Sequence, residues 1–205
     1  MKLYITPGSP YARMVRLFIL EKGLHDRIEI VLAQTRQANS PYYQINPSGR
    51  VPYLIRDDGV GVEESALILD YLDQLDGQPM LVLPAGDAGW EARRLEALAR
   101  SMLDGIAVWG RERARPDLER SPTTIRHERA RCARMLNLWE GSIDHAWMNG
   151  SFSGKINVAQ MTLACALGMA ARNPDIEWRS GRPSLCAWFD AFSARPSFAA
   201  TAVKD

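Results

Sequence analysis

A chain of 205 residues with 46% hydrophobic content can fill the core of one large domain or two small ones, which excludes gross disorder. Lys and Arg number 25 against 24 Asp and Glu, and a net charge of +1 exerts no overall pull toward nucleic acid or an anionic membrane. The longest uncharged stretch, Ile156 to Ala171, contains Asn157, Gln160 and Thr162 and falls short of the ~20 apolar residues of a membrane span, so it reads as a buried helix of a soluble protein.

Met1-Lys2-Leu3-Tyr4-Ile5 passes at once into Thr6-Pro7-Gly8, which leaves no apolar core for a secretory signal and sets an expectation of cytoplasmic residence. Leu3 to Ile5 is a short strand. The turn Thr6-Pro7-Gly8-Ser9-Pro10 leads into a helix over Tyr11 to Lys22, where Met14, Val15, Phe18 and Ile19 recur at helical spacing and Gly23 stops it. Ile28 to Leu32 reads as a second strand, Gln34 to Gln44 as a polar stretch, and Ile45-Asn46-Pro47-Ser48-Gly49-Arg50 as a loop. Val51 to Ile55 resumes a strand. Asp57-Asp58-Gly59 followed by Val60-Gly61-Val62 predicts a hairpin, hence antiparallel third and fourth strands. Glu63-Glu64-Ser65 then opens a helix with Leu67, Ile68, Tyr71, Leu72 and Leu75 on its apolar face, ending near Gly77.

Residues 1–77 thus form an α/β unit, the Pro- and Gly-rich residues 78–86 a linker, and residues 87–205 an all-helical domain. Helices are predicted over Trp90 to Arg113, Thr123 to Met148, Val158 to Arg172 and Leu185 to Ala194, with Pro116, Gly150, Pro174 and Pro196 as breaks. Many arginines fall between Arg93 and Arg134, but Glu91, Glu96, Glu112, Glu119 and Glu128 are interleaved, as on a salt-bridged solvent face. Cys132, Cys165 and Cys186 are odd in number and far apart, which predicts reduced, buried packing residues and neither disulfides nor zinc. His25, His127 and His145 lack metal-ligand spacing.

Ser9-Pro10-Tyr11-Ala12 lies where a strand enters a helix N-terminus, a place that stabilises an anion. Ser9 with Pro10 behind it is also an ordinary helix cap. The turn resembles the Cys-Pro-Tyr-Cys of glutaredoxins with Ser9 and Ala12 in place of both thiols, which argues against dithiol chemistry. Together with Asn46-Pro-Ser-Gly-Arg-Val-Pro-Tyr-Leu54, Glu64-Ser65 and the helical second half, the whole chain resembles the cytosolic glutathione S-transferases, in particular bacterial members of the serine type. The resemblance implies a thioredoxin-like first domain, βαβαββα, followed by an all-helical domain.

It also implies a set of site residues. Ser9 would donate a hydrogen bond to the glutathione sulfur and favour the thiolate, with Tyr4, Tyr11 and Thr6 as alternative hydroxyls. Pro52 would be cis and Val51 would bind the cysteinyl part of glutathione through its backbone. Arg50 would reach the glycyl carboxylate or remain a solvated loop residue. Ser65 would take the γ-glutamyl carboxylate and Glu64 its ammonium, although both also suit a helix N-terminus. Asn157 and Gln160 stand where the family carries a Ser or Thr to Asp capping box, and are assigned to folding. The electrophile pocket would lie near the Ser9 turn and the first helices of the second domain, with Trp109, Arg111 and Arg113 as conceivable wall residues.

The leading expectation is an enzyme that uses glutathione as co-substrate, without a metal, and directs its thiolate at a small electrophile. Glutathione-dependent thiol exchange, peroxide reduction or isomerisation is the enzymatic alternative, and a non-catalytic protein-binding module the other. The resemblance further implies a homodimer, and the charge balance sets an expectation of no nucleic-acid or membrane partner.

Overall fold

In the computed structural model, which describes residues 1–149 and 155–203, the chain forms two compact units: Met1–Val82 with Pro196–Asp205, and Leu83–Arg195. Gly150, read above as a helix break, lies outside the described residues.

The first unit contains β1 (Lys2–Ile5), α1 (Pro10–Glu21), β2 (Glu29–Leu32), α2 (Tyr42–Ile45), β3 (Tyr53–Ile55), β4 (Gly61–Glu63) and α3 (Ser65–Gln74). The sheet order is β2-β1-β3-β4, with β1 and β2 parallel and the other neighbours antiparallel. The hairpin expected at Asp57-Asp58-Gly59 is present, pairing Leu54 with Val62. Leu3 and Leu54 face each other in register and are both fully buried. This is the thioredoxin-like order, βαβαββα.

α1 and α3 pack together, and a buried ion pair joins their C-terminal ends. Lys22 Nζ lies 3.2 Å from Asp73 and 3.0 Å from Asp76, and also donates to the Gln78 carbonyl at 2.9 Å. Asp73 in turn accepts from the backbone N–H groups of Met80 and Leu81, both at 2.8 Å. The stretch after Gly77, read as linker, is therefore tied into the first unit as far as Leu81.

The first unit is completed from the far end of the sequence. α8 (Pro196–Ala200) packs on α1, where the buried Arg13 donates to the Phe198 carbonyl at 2.9 Å and stands 3.7 Å over the Phe198 ring. Ser197 donates to Glu21. Pro196, expected as a break, separates α7 from α8 and opens the latter, because proline lacks only an N–H that a first helical residue does not use. α8, counted with the helical domain in the sequence reading, makes these contacts within the first unit.

The second unit is all-helical: α4 (Gly86–Arg113), α5 (Pro122–Ser142), α6 (Val158–Ala170) and α7 (Pro183–Ser193). Every residue from Ala159 to Gly168 is buried, which explains why α6 has no charged face. The reciprocal cap expected at its start is formed, with Gln160 N donating to Asn157 Oδ1 at 2.9 Å and Asn157 N to Gln160 Oε1 at 3.0 Å. α5 stops at Ser142 instead of running on to Met148, and turns held by the His145 carbonyl follow. The N-terminus of α7 is satisfied by a neighbour, since Glu140 on α5 accepts from Ser184 N at 3.1 Å and Leu185 N at 2.8 Å. Those bonds hold its carboxyl below its ordinary range.

The interleaved charges pair along the helices, in Arg94–Glu91, Arg100–Glu96, Arg115–Glu112 and Arg131–Glu128, but the expected solvent face is corrected at Glu112 and Glu128, which are buried. All three cysteines are free. Cys132 and Cys165 are buried as expected, whereas Cys186 is half-buried, a correction that follows from its place near the start of α7 with Sγ 3.5 Å from the Arg179 carbonyl. Among the described residues no helix is long and apolar enough to cross a membrane.

Candidate active site

The turn after β1 is closed by a hydrogen bond from Ser9 N to the Thr6 carbonyl at 3.1 Å. Ser9 then caps α1, its Oγ accepting from Ala12 N at 3.2 Å, with Pro10 in the first helical position. As an acceptor of that bond the hydroxyl retains its own proton to donate. The first turn of α1 carries no acidic side chain, so the positive end of the helix dipole has no carboxylate of its own there.

A shallow cleft opens at the first turn of α1, lined by Tyr11, Arg50, Val51, Pro52, Glu63, Glu64 and Ser65. It gathers five of the six site residues named from the sequence, while Ser9 lies outside the lining and two residues before Tyr11. The Val51–Pro52 peptide is cis, as the resemblance implied.

The loop that delivers Val51 is built from its own side chains. Asn46 is buried, and its Oδ1 accepts from Ser48 N at 3.1 Å. Its Nδ2 donates to the Arg50 carbonyl at 3.0 Å and to Glu63 Oε2 at 2.9 Å. Tyr42 Oη donates to the same Arg50 carbonyl at 2.6 Å. Burial pushes the Tyr42 phenol up, a hydrogen bond from Asn46 works against it, and the charge of Glu63 adds to the rise. Gly49 has φ 66°, and a Cβ there would lie 2.7 Å from Tyr43 Cε1, so glycine is needed for both conformation and space.

At the opposite wall Glu64 precedes α3 with φ 75° and ψ 123°. Strained backbone of this kind costs about 1–3 kcal/mol in a residue other than glycine and gathers at ligand sites. The ordinary reading of Glu64 as a helix cap is not realised, since its side chain makes no cap hydrogen bond. Its Oε1 instead meets Arg50 Nη1 at 2.8 Å. Ser65, the first residue of α3, is 2% exposed.

Two further residues line the cleft, Tyr11 and Glu63. Tyr11, one of the alternative hydroxyls, is brought to the cleft by the first turn of α1. Glu63 was grouped with Glu64 and given no role; the signal for it was Asn46, a polar residue that needs partners once buried. In the second unit, Trp109 is buried, Arg111 is exposed, and Arg113 is engaged by Asn173 Oδ1 at 2.6 Å and Asp175 Oδ2 at 2.9 Å. Among the described residues no group of three or more His, Cys, Asp or Glu side chains is placed to hold a metal ion.

Residues 3–80 match the family profile described as the glutathione S-transferase N-terminal domain. A glutathione transferase family member from Pseudomonas fluorescens Pf-5, crystallised with bound glutathione, is 33% identical and superposes with a TM-score of 0.85 over 100% of this chain and 99% of its own. A glutathione S-transferase from Methylobacterium radiotolerans JCM 2831, in complex with glutathione sulfonate, is 29% identical with a TM-score of 0.84, covering 100% and 95% of the two chains. An uncharacterized GST-like protein of Escherichia coli K12, YibF, is 29% identical over 202 residues, 98% of each chain. With a matching N-terminal domain, a helical second unit and a full-length relative at 33% identity, the chain belongs to the glutathione S-transferase family.

Proposed function

We propose that this protein is a glutathione transferase of the serine type, which adds the glutathione thiolate to electrophilic small molecules or uses it to displace a leaving group. The observation that carries the reading is the cleft itself, where Arg50, Val51, Glu64 and Ser65 meet although they come from a loop and a helix start that are separate in sequence. Glutathione offers two carboxylates and an ammonium, and these residues offer a guanidinium, a hydroxyl at a helix N-terminus, a carboxylate and a peptide backbone. In this reading Ser65 holds the γ-glutamyl carboxylate, Glu64 its ammonium, Val51 the cysteinyl backbone and Arg50 the glycyl carboxylate.

Ser9 is the catalytic residue. A free thiol titrates near ~8.5, and each unit by which the site lowers that value corresponds to about 1.36 kcal/mol of preference for the thiolate. The Ser9 O–H and the positive end of α1 both favour the charged sulfur. The thiol proton passes to solvent and the thiolate's electron pair forms the new bond, while the electrophile's π pair shifts onto its activating group or its leaving group departs with the bonding pair, so neither a metal nor a covalent enzyme intermediate is required. Residues 1–77 bind glutathione, and the helical domain supplies the wall for the electrophile. A cytoplasmic, homodimeric enzyme of detoxification is the form this reading takes in the cell.

The test is an ultraviolet difference titration of bound glutathione across pH in wild type and Ser9→Ala, followed by turnover against a panel of electrophiles, peroxides and glutathionyl disulfides. A thiolate that forms well below the free thiol's pKa in wild type and not in the variant is the expected result. Binding without that shift would sink the role of Ser9, and turnover confined to mixed disulfides would replace transfer by thiol exchange.

A further inference from the structure

Val51 lines the cleft and is read above as a backbone ligand, yet nothing in an apolar side chain fixes the direction of its peptide. That direction is set one residue earlier, where both backbone groups of Arg50 are held by side chains. Its carbonyl accepts from Tyr42 Oη at 2.6 Å and Asn46 Nδ2 at 3.0 Å, and its N–H donates to Ser48 Oγ at 3.1 Å. Asn46 and Ser48 are in turn held by one atom. Glu63 Oε2 accepts from Asn46 Nδ2 at 2.9 Å and from the Ser48 hydroxyl.

We propose that Glu63 is a positioning residue of this cleft: its carboxylate fastens Asn46 and Ser48 to the end of β4, and through them fixes the Val51 peptide for a ligand. The inference rests on the reading of Val51 as the backbone ligand of glutathione. A carboxylate suits the task because one oxygen accepts two bonds, and bonds to a charged acceptor are stronger than neutral ones. Glu63 sits opposite Tyr53 in the β3–β4 ladder, so the anchor point belongs to the sheet and not to the loop it restrains. Its neighbour Glu64 follows it directly yet leaves the ladder for α3, which separates an anchoring carboxylate from the one that faces Arg50.

The experiment compares wild type with Glu63→Gln in three measurements on the full chain: calorimetric affinity for glutathione, ultraviolet titration of the bound thiol, and amide hydrogen exchange of residues 46–52 without ligand. Loss of the charged acceptor should weaken glutathione about tenfold. Exchange over residues 46–52 should quicken, while the pKa of the bound thiol, which belongs to Ser9, stays where it is in wild type. A purely structural role would lower the melting temperature without this split between affinity and thiol titration. Affinity within about twofold of wild type, together with unaltered exchange, would overturn the proposal and leave the glutathione reading intact. Failure of wild type itself to bind glutathione would overturn that reading, and the proposal with it. Should Glu63→Gln not fold, Ser48→Ala removes one of the two donors at an exposed position and should show the same pattern with a smaller loss, about threefold.

Discussion

Arg50 Nη1 and Glu64 Oε1 stand 2.8 Å apart, so the two side chains assigned to opposite charges of glutathione hold each other. Both are more than half exposed, and such a pair contributes roughly 0–1 kcal/mol to the fold, an amount a bound zwitterion can replace. Glu64→Gln should therefore leave the melting temperature almost unchanged while weakening glutathione about tenfold. Raising ionic strength from about 0.05 M to about 0.5 M should weaken glutathione in wild type more than in the variant. Calorimetry at the two salt concentrations decides it, and equal affinities for both proteins would remove Glu64 from the site.

Ser9 has two tasks that substitutions can separate. Ser9→Ala should lose the cap on Ala12 N, costing about 1 kcal/mol of stability, and also lose the bound thiolate. Ser9→Asp keeps an acceptor for Ala12 N and should recover the stability without the thiolate, since a carboxylate offers the sulfur no proton and repels its charge. Thermal melts paired with the ultraviolet titration test this. A thiolate retained in Ser9→Ala would show that another group activates the sulfur.

The Lys22–Asp73 pair is buried, so Lys22→Met leaves the Asp73 carboxylate with only the Met80 and Leu81 N–H groups to offset its charge, and should cost about 3 kcal/mol by urea denaturation. Asp76 sits at the exposed edge of the same cluster. A hydrogen bond from the Gln78 backbone, and then Lys22, hold its carboxyl below the ordinary 3.8. A lowered folded value gives stability that is present above the unfolded pKa and is lost as pH falls through the folded one. Asp76→Asn should accordingly be less stable than wild type at neutral pH, with the gap closing below about pH 4. A gap that persists in acid would count against the ionic account.

Arg13 is buried beneath α8, and ending the chain at Arg195 would strip its guanidinium of the Phe198 carbonyl and ring. The truncated protein should lose about 2–4 kcal/mol, with faster amide exchange in α1. Unchanged exchange in α1 would mean that α8 contributes nothing to the helix that carries Ser9.

Burial pushes the Cys132 thiol up to about 11, while Cys186 is half-buried at the surface. Iodoacetamide at mildly alkaline pH should therefore label Cys186 in the native protein and reach Cys132 and Cys165 only after denaturation, as peptide mass spectrometry would show. Rapid native labelling of Cys132 would contradict the packing of α5.

The order of elements was legible because periodicity and turn chemistry act within a few residues, as at Asp57-Asp58-Gly59 and at the Asn157–Gln160 cap. Five residues of the cleft were legible by resemblance, since Asn46 to Leu54 and Glu64-Ser65 are short and contiguous. What stayed hidden depends on distant partners. Glu63 gains its role only when Asn46 and Ser48 fold beside it, and Glu140 caps a helix that begins more than forty residues later. Pro196 was legible as a break, but the short helix that starts at it depends on the surface that α1 supplies for α8.

Arg13 and Phe198 are 185 residues apart in sequence and adjacent in space. During synthesis the first unit's sheet and helices emerge long before the segment that clasps them, and the whole helical unit is translated in between. The helix that presents Ser9 therefore acquires this support only after the helical unit between them has been made, so a chain that stops short of α8 carries the cleft residues without the α1 clasp.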